Sequence, residues 1–326
     1  MTAVLAAVVN FERAELTASL VAALVRHRTE CTLRVVAVDN GSSQDDLGRL
    51  REVLDPAATL LALPTNEGYA AACNAAALKA LADSADLLWL LNNDLDLEAG
   101  VLDALVSALA RSQWAAAAPA TVDSETGMTV LGAGADISMS RGRLRHRWVG
   151  RSRSDLPTSP FEVTAIEGAC PLIRLDALRA IGAWDEGFFM YWEDTEWSVR
   201  ARRSGFALGV VPTVAVRHKG GASSDAAFRI GLMLRNRVRF VRLAGSRSEN
   251  MLFAGYYLMF WLPAYLLARL IPRFGLRQGV SVALGSLTWN IDDARRRGRW
   301  RLRHSDQEIP ALETSPSADG RRPRAT

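Results

Sequence analysis

Three carboxylates within four residues, Glu193-Asp194-Thr195-Glu196, stand in an aromatic frame of Phe188-Phe189-Met190-Tyr191-Trp192 and Trp197. A carboxylate beside apolar rings is partly desolvated, which raises its pKa and makes it a better proton acceptor. The plainer reading is a solvated helix start. Four further polar clusters carry chemistry. Asn92-Asn93-Asp94-Leu95-Asp96 follows the apolar run Leu87–Leu91, and a carboxylate there is a hard oxygen ligand able to hold Mg²⁺ or Mn²⁺ against phosphate oxygens. His218 precedes Lys219-Gly220-Gly221-Ala222-Ser223, where a neutral imidazole could complete such a site. Val38-Asp39-Asn40-Gly41-Ser42-Ser43 offers a carboxylate to a base or ribose; its alternative is a helix N-cap at Ser42 or Ser43. Asn66-Glu67-Gly68-Tyr69 opens the small-residue run up to Asn74, where a diphosphate can approach backbone amides.

Positioning these clusters requires strands that end together. The runs Val4–Val9, Leu33–Val38, Leu60–Leu63 and Leu87–Leu91 read as strands, with helical periods between the first pair and over Ala70–Leu81. Strands alternating with helices imply right-handed crossovers and a mostly parallel sheet, whose ligand crevice lies at the carboxyl ends. From about 120 the glycines and arginines predict an irregular or hairpin segment, mobile at 141–160. Thr164–Leu175 reads as strand-like, Val210–Val216 as a strand leading to His218, and a helix passes through Trp197, Val199 and Arg200.

Composition bounds the rest. The 326 residues are 49% hydrophobic and 23% charged, and 39 Lys+Arg against 35 Asp+Glu leave a net charge of +4, too small to imply a nucleic-acid partner. The arginines cluster at 141–153, 229–247 and 295–303, suiting phosphates or an anionic surface. Three scattered cysteines lack metal or redox spacing and fit a reducing cytoplasm, and Met1–Val9 lacks the basic start of a secretory signal. Met251–Ile271 is almost wholly apolar, broken by Gly255, Pro263 and Arg269. It reads as a helix pair lying in a membrane interface, with a spanning helix or a buried one as alternatives. The tail 305–326 has the composition of a disordered segment.

The ordered set of motifs resembles family 2 glycosyltransferases of the GT-A fold, and among them the bacterial rhamnosyltransferase type. It comprises Val38-Asp39-Asn40-Gly41-Ser42, Asn66-x-Gly68-Tyr69-Ala70-x-Ala72-x-Asn74, Leu90-Leu91-Asn92-Asn93-Asp94, Gly168-Ala169, Gly182-x-x-Asp185-Glu186-x-Phe188-Phe189, Glu193-Asp194-x-Glu196-x-x-x-Arg200 and His218-x-x-Gly221. The resemblance implies a GT-A domain over 1–225, split near 120 into a nucleotide-sugar half and an acceptor half, then a helical membrane-associating extension over 226–304. It implies that Asp194 is the catalytic base, supported by Glu193 and Glu196. Asn10, Asp39, Asn66, Gly68, Tyr69, Asn74, Asn92 and Asn93 would line the nucleotide-sugar site. Asp94 and His218 would hold the metal, although the first acid of the D-x-D position is Asn92 here and Asp94-Leu95-Asp96 spells the motif in a shifted frame. Trp184, Trp192 and Trp197 would wall the acceptor, with core packing as their alternative. The implied reaction is inverting transfer of rhamnose or another hexose from a dTDP- or UDP-sugar to a polyprenyl-linked or polysaccharide acceptor. It would take place at the cytoplasmic face of the membrane. The alternatives are a soluble tailoring glycosyltransferase and a non-catalytic nucleotide-sugar-binding subunit.

Overall fold

The computed structural model describes residues 1–220 and 226–300, with side chains only in part beyond 285. The segment 221–225, the arginine run at 295–303 and the tail 305–326 therefore lie outside the described residues or side chains. Three parallel strands, β1 (Ala3–Asn10), β2 (Thr32–Asp39) and β3 (Thr59–Ala62), alternate with helices α1 (Ala14–Val25) and α2 (Gln44–Val53). Helix α3 (Tyr69–Ala82) then leads to β4 (Leu87–Asn92), which pairs parallel with β1 on its other side. Register sets Asn10 opposite Asp39, and Asn92 opposite Val9, so one edge collects the polar ends of three strands.

After β5 (Leu95–Leu97) and α4 (Val101–Ala110), β6 (Trp114–Asp123) extends the sheet. The hairpin expected between 120 and 160 is present as β7 (Val130–Gly132) against β6 and as a separate pair, β8 (Ala135–Ser138) with β9 (Arg143–His146). The strand-like reading of Thr164–Leu175 is corrected: β10 (Phe161–Val163) ends before it, Ala165 makes a single bridge to Ala135, β11 spans only Leu172–Arg174, and Leu175 opens α5 (Leu175–Ile181). Between them the chain leaves the ladder as a loop carrying Glu167-Gly168-Ala169, with Asn92 N donating to Ala169 O at 2.9 Å. Helix α6 (Glu193–Arg203) and β12 (Ala207–His218) complete the sheet, ordered β10-β12-β6-β11-β4-β1-β2-β3. Strands β10 and β11 run antiparallel, so the sheet is mixed.

Pleat alternation divides β1: Leu5, Ala7 and Val9 pack with α3, α5 and α6, while Val4, Ala6 and Val8 pack with α1 and α4. Burial of each such aliphatic side chain contributes about 1.5–3 kcal/mol. The chain continues into α7 (Ala226–Ala244), α8 (Arg247–Tyr256), α9 (Leu262–Tyr265) and α10 (Ile271–Trp300), the last kinked at Gly275. Gly255 and Pro263 do not break α8–α9 into a helix pair. π-helical turns at Tyr257–Trp261 and Leu266–Leu270 absorb the misfit and keep the rod continuous. A third core, with Phe188, Phe240, Val241, Phe253 and Tyr257, welds this extension to the loop before α6.

Candidate active site

Asp194 occupies the first turn of α6, where the helix amides favour a negative charge. Gly168 N donates to its Oδ2 at 2.9 Å, and Thr195 N and Oγ1 donate to its Oδ1 at 2.6 and 3.1 Å. Burial raises the Asp194 pKa, and these donors pull it back. Its neighbour Glu193 is only 5% exposed, and its buried Oε2 has no hydrogen-bond partner. Burial, reinforced by the Asp194 charge, pushes Glu193 well above the ordinary carboxylate range. The pair thus differs in its surroundings: Asp194 has three donors at its carboxylate, and Glu193 keeps one buried oxygen without a partner. Glu196, expected as a further support, instead pairs with Arg200 at 2.9 Å. Arg200 in turn donates to the carbonyls of Ile181, Gly182 and Ala183, so that pair braces the end of α5.

Tyr69, the first residue of α3, donates its hydroxyl to Gly168 O at 2.9 Å, tying the start of α3 to the loop that bonds Asp194. Gly68, at φ +95°, has an unforeseen use: a Cβ there would collide with the Phe189 backbone. Its conformational freedom admits the loop before α6, not a diphosphate alone. Asn66 Oδ1 accepts from Gly68 N and from Asn40 Nδ2 at 3.0 and 3.1 Å. Asn74 is engaged within the protein. Its amide exchanges hydrogen bonds with Trp184 N and O and donates to Glu186, holding the segment after α5.

Asn10 and Asp39 lie side by side at the edge, both fully buried and bonded at 2.8 Å. Asp39 also accepts from Ser42 Oγ at 2.6 Å and Ser42 N at 3.1 Å, while Ser43 caps α2 through Asp46 N. The N-cap reading of that motif is realised at Ser43, while Asp39 accepts three hydrogen bonds within the protein. Asn93 joins the same network through Thr17, whose hydroxyl donates to Asn10.

Asp94 Oδ1 lies 3.1 Å from His218 Nε2, both side chains partly buried. The neighbouring carboxylate raises the His218 pKa. Asp96 points elsewhere, exposed and paired with Lys219 at 3.1 Å. No cluster of three or more acidic, histidine or cysteine ligands exists among the described residues. A carboxylate oxygen and an imidazole nitrogen together fit a divalent cation that completes its shell with phosphate and water oxygens. His218 is the last residue of β12, and β12 pairs antiparallel with β5 immediately after Asp94, which is why residues 124 positions apart meet.

Trp184 and Trp197 do not form an open wall. They stack in the core at 5.7 Å, and Trp197, 1% exposed, donates to Gly182 O. The cavity they share with Tyr69, Cys73 and Glu193 has a volume of about 10 Å³, room for one water and no sugar. Trp192 is partly buried against Phe240 at 5.1 Å. Two other residues belong near the carboxylate and were not foreseen. Glu167 holds His146 at 2.9 Å, lies within electrostatic reach of both Asp194 and His218, and raises the His146 pKa. Its position immediately before Gly168-Ala169 was the available signal; nothing marked His146 among its arginines.

The glycosyl transferase family 2 model matches residues 6–182. An N-acetylglucosaminyl-diphospho-decaprenol L-rhamnosyltransferase is 28% identical over 238 residues, 68% of this chain and 77% of that protein. It is found in Mycobacterium tuberculosis strains CDC 1551 / Oshkosh and H37Rv. Among solved structures, GalNAc-T7 with UDP, GalNAc and Mn²⁺ superposes with a TM-score of 0.59 at 16% identity, over 92% of this chain. The chain spans only 58% of GalNAc-T7. Mannosyltransferase PcManGT from Pyrobaculum calidifontis, in complex with GDP-Man and Mn²⁺, gives 0.53 at 16% identity over 93% of this chain and 88% of its own. These likenesses establish the fold, and the family match establishes the class. The chain belongs to glycosyl transferase family 2 and carries its transferase domain on a GT-A fold.

Proposed function

We propose that this chain is an inverting hexosyltransferase that moves a sugar, rhamnose or another hexose, from a dTDP- or UDP-linked donor to an acceptor hydroxyl. The acceptor is polyprenyl-linked or a polysaccharide, at the cytoplasmic membrane surface. The observation that carries the reading is the placement of Asp194: partly exposed, fixed by Gly168 N and at the helix start, beside the buried Glu193. Asp194 takes the proton from the acceptor hydroxyl as its oxygen attacks the anomeric carbon, and attack opposite the leaving diphosphate inverts that centre. Burial and the Asp194 charge raise the Glu193 pKa, which disfavours a second anion beside the reacting oxygen. Tyr69 and Gly168 fix the carboxylate's direction, so little reorganisation accompanies the transfer. Asp94 and His218 would hold Mg²⁺ or Mn²⁺, which when bound supplies positive charge for the departing diphosphate. The polyprenyl clause draws on the name of the mycobacterial relative and on the apolar extension.

The test is a screen of dTDP-, UDP- and GDP-sugars with Mg²⁺ or Mn²⁺, read by thermal shift and by release of nucleoside diphosphate. One donor is expected to stabilise the protein and to be turned over. Asp194→Asn should lower turnover by about 10²–10⁴-fold with donor binding retained. Stabilisation by no nucleoside diphosphate would sink the proposal.

A further inference from the structure

The segment joining α5 to α6 is held in a shape its residues do not choose. Phe189, Tyr191 and Trp192 all have left-handed φ, +65°, +71° and +74°, although none is glycine. Such a run persists only where surrounding groups over-determine it. Those groups are on α7. Asn236 is fully buried, and its Nδ2 lies 2.8 Å from each of three carbonyl oxygens, those of Phe188, Met190 and Tyr191. Arg235 Nε donates to Asn236 Oδ1 at 2.8 Å, which fixes the amide end that faces the loop. Arg235 also donates to the carbonyls of Gly187 and Phe188, and Arg239 grips Asp185 at 2.8 and 3.0 Å.

The loop so held touches both halves of the site. Phe189 O accepts from Ala70 N at the start of α3, and the Phe189 backbone fills the space left by Gly68. At its other end Trp192 is the N-cap of α6, and Glu193 and Asp194 follow directly. We infer that Asn236 is a positioning residue for the transfer reaction, holding the Phe188–Trp192 loop in the left-handed shape that aims Asp194. The inference rests on the reading of Asp194 as the base. Asn236 itself touches no reacting atom and acts through three backbone carbonyls.

A buried amide that merely satisfied carbonyls would affect stability alone, so the experiment uses two readouts. Hydrogen exchange of residues 186–198 is followed in the full-length protein and in Asn236→Ala, without substrate. Steady-state kinetics follow with the donor that the unmodified protein turns over. Exchange in 186–198 is expected to quicken in Asn236→Ala. Turnover should fall about 10- to 100-fold while the donor KM stays within about threefold, because misplacing a reacting group by about 1 Å costs on that order. Added to Asn236→Ala, Tyr191→Gly should restore turnover at least about threefold over Asn236→Ala, since glycine adopts the left-handed shape unaided. Exchange unchanged by Asn236→Ala overturns the inference, as does a turnover loss that Tyr191→Gly fails to relieve. Absence of turnover by the unmodified protein counts against the transferase reading, and the exchange measurement then decides alone whether Asn236 holds the loop.

Discussion

Glu193 and Asp194 are adjacent in sequence and opposite in circumstance. Asp194 has three hydrogen-bond donors, whereas Glu193 places an unbonded oxygen in an apolar cavity with Tyr69, Leu90 and the two stacked tryptophans. A carboxyl whose folded pKa is raised binds its proton more tightly folded than unfolded, so folding is progressively disfavoured as pH rises above its ordinary value of 4.5. Glu193→Gln keeps the neutral shape and removes that linkage. The variant is expected to melt at least as high as the unmodified protein, by a margin that grows between pH 5 and 8. A margin that shrinks over that range in thermal melts would mean that Glu193 is ionised in the fold. The family resemblance marked Asp194 as the base and Glu193 as its support, but the Gly168 amide that bonds Asp194 lies 26 positions away and no local pattern shows it.

At the scale of elements, strands β1 to β4 and β12 were legible and β6 was not. Strands β1 to β4 announce themselves as β-branched and leucine runs between helical periods. β6, Trp114-Ala-Ala-Ala-Ala-Pro119-Ala-Thr-Val-Asp123, does not: alanines favour helix, and Pro119 cannot donate in a ladder. The neighbouring β12 answers with a register shift between Val211 and Ala215, opposite Pro119 and Ala120. The turn into α3 was legible as a glycine turn, but its partner was hidden. With φ +95° and the Phe189 backbone against it, Gly68→Ala should lower the stability by an amount of order 1–3 kcal/mol. Denaturant unfolding checks this, and an unchanged midpoint would show that the Phe189 loop moves aside freely.

The molecule as a whole is a transferase domain with a helical rod fixed to the loop before α6. The rod's inner face is buried through Phe253, Tyr257 and Leu270, while Met251, Leu258, Met259, Phe260 and Leu267 stay more than half exposed. The segment Arg247–Gly285 is long and apolar enough to cross a membrane, with a mean hydropathy of 1.5. Docking of its inner face on the domain favours a rod lying against the bilayer, its outer face inserted beside Arg247, Arg269 and Arg273. Phe260→Glu combined with Met259→Glu should therefore release the protein from anionic lipid vesicles without lowering its melting temperature. Retention on vesicles despite both charges, measured by co-sedimentation, would rule out that face.

The sequence by itself determined the class, the sheet edge and the identity of the acidic motif, because strand-end polarity, glycine turns and an amphipathic helix start are local properties. Tertiary structure alone decided which of those residues meet. Trp184 and Trp197 became core because the sheet and α6 close over them, and Glu196 and Asn74 became braces because α5 ends beside them. Asp94 and His218 became a pair through the β5–β12 ladder. Asn236, on a helix that sequence assigned to membrane association, reaches the catalytic loop only because a third hydrophobic core folds α7 back onto it. Contacts between residues so far apart are set by packing that burial drives, and no local pattern records them.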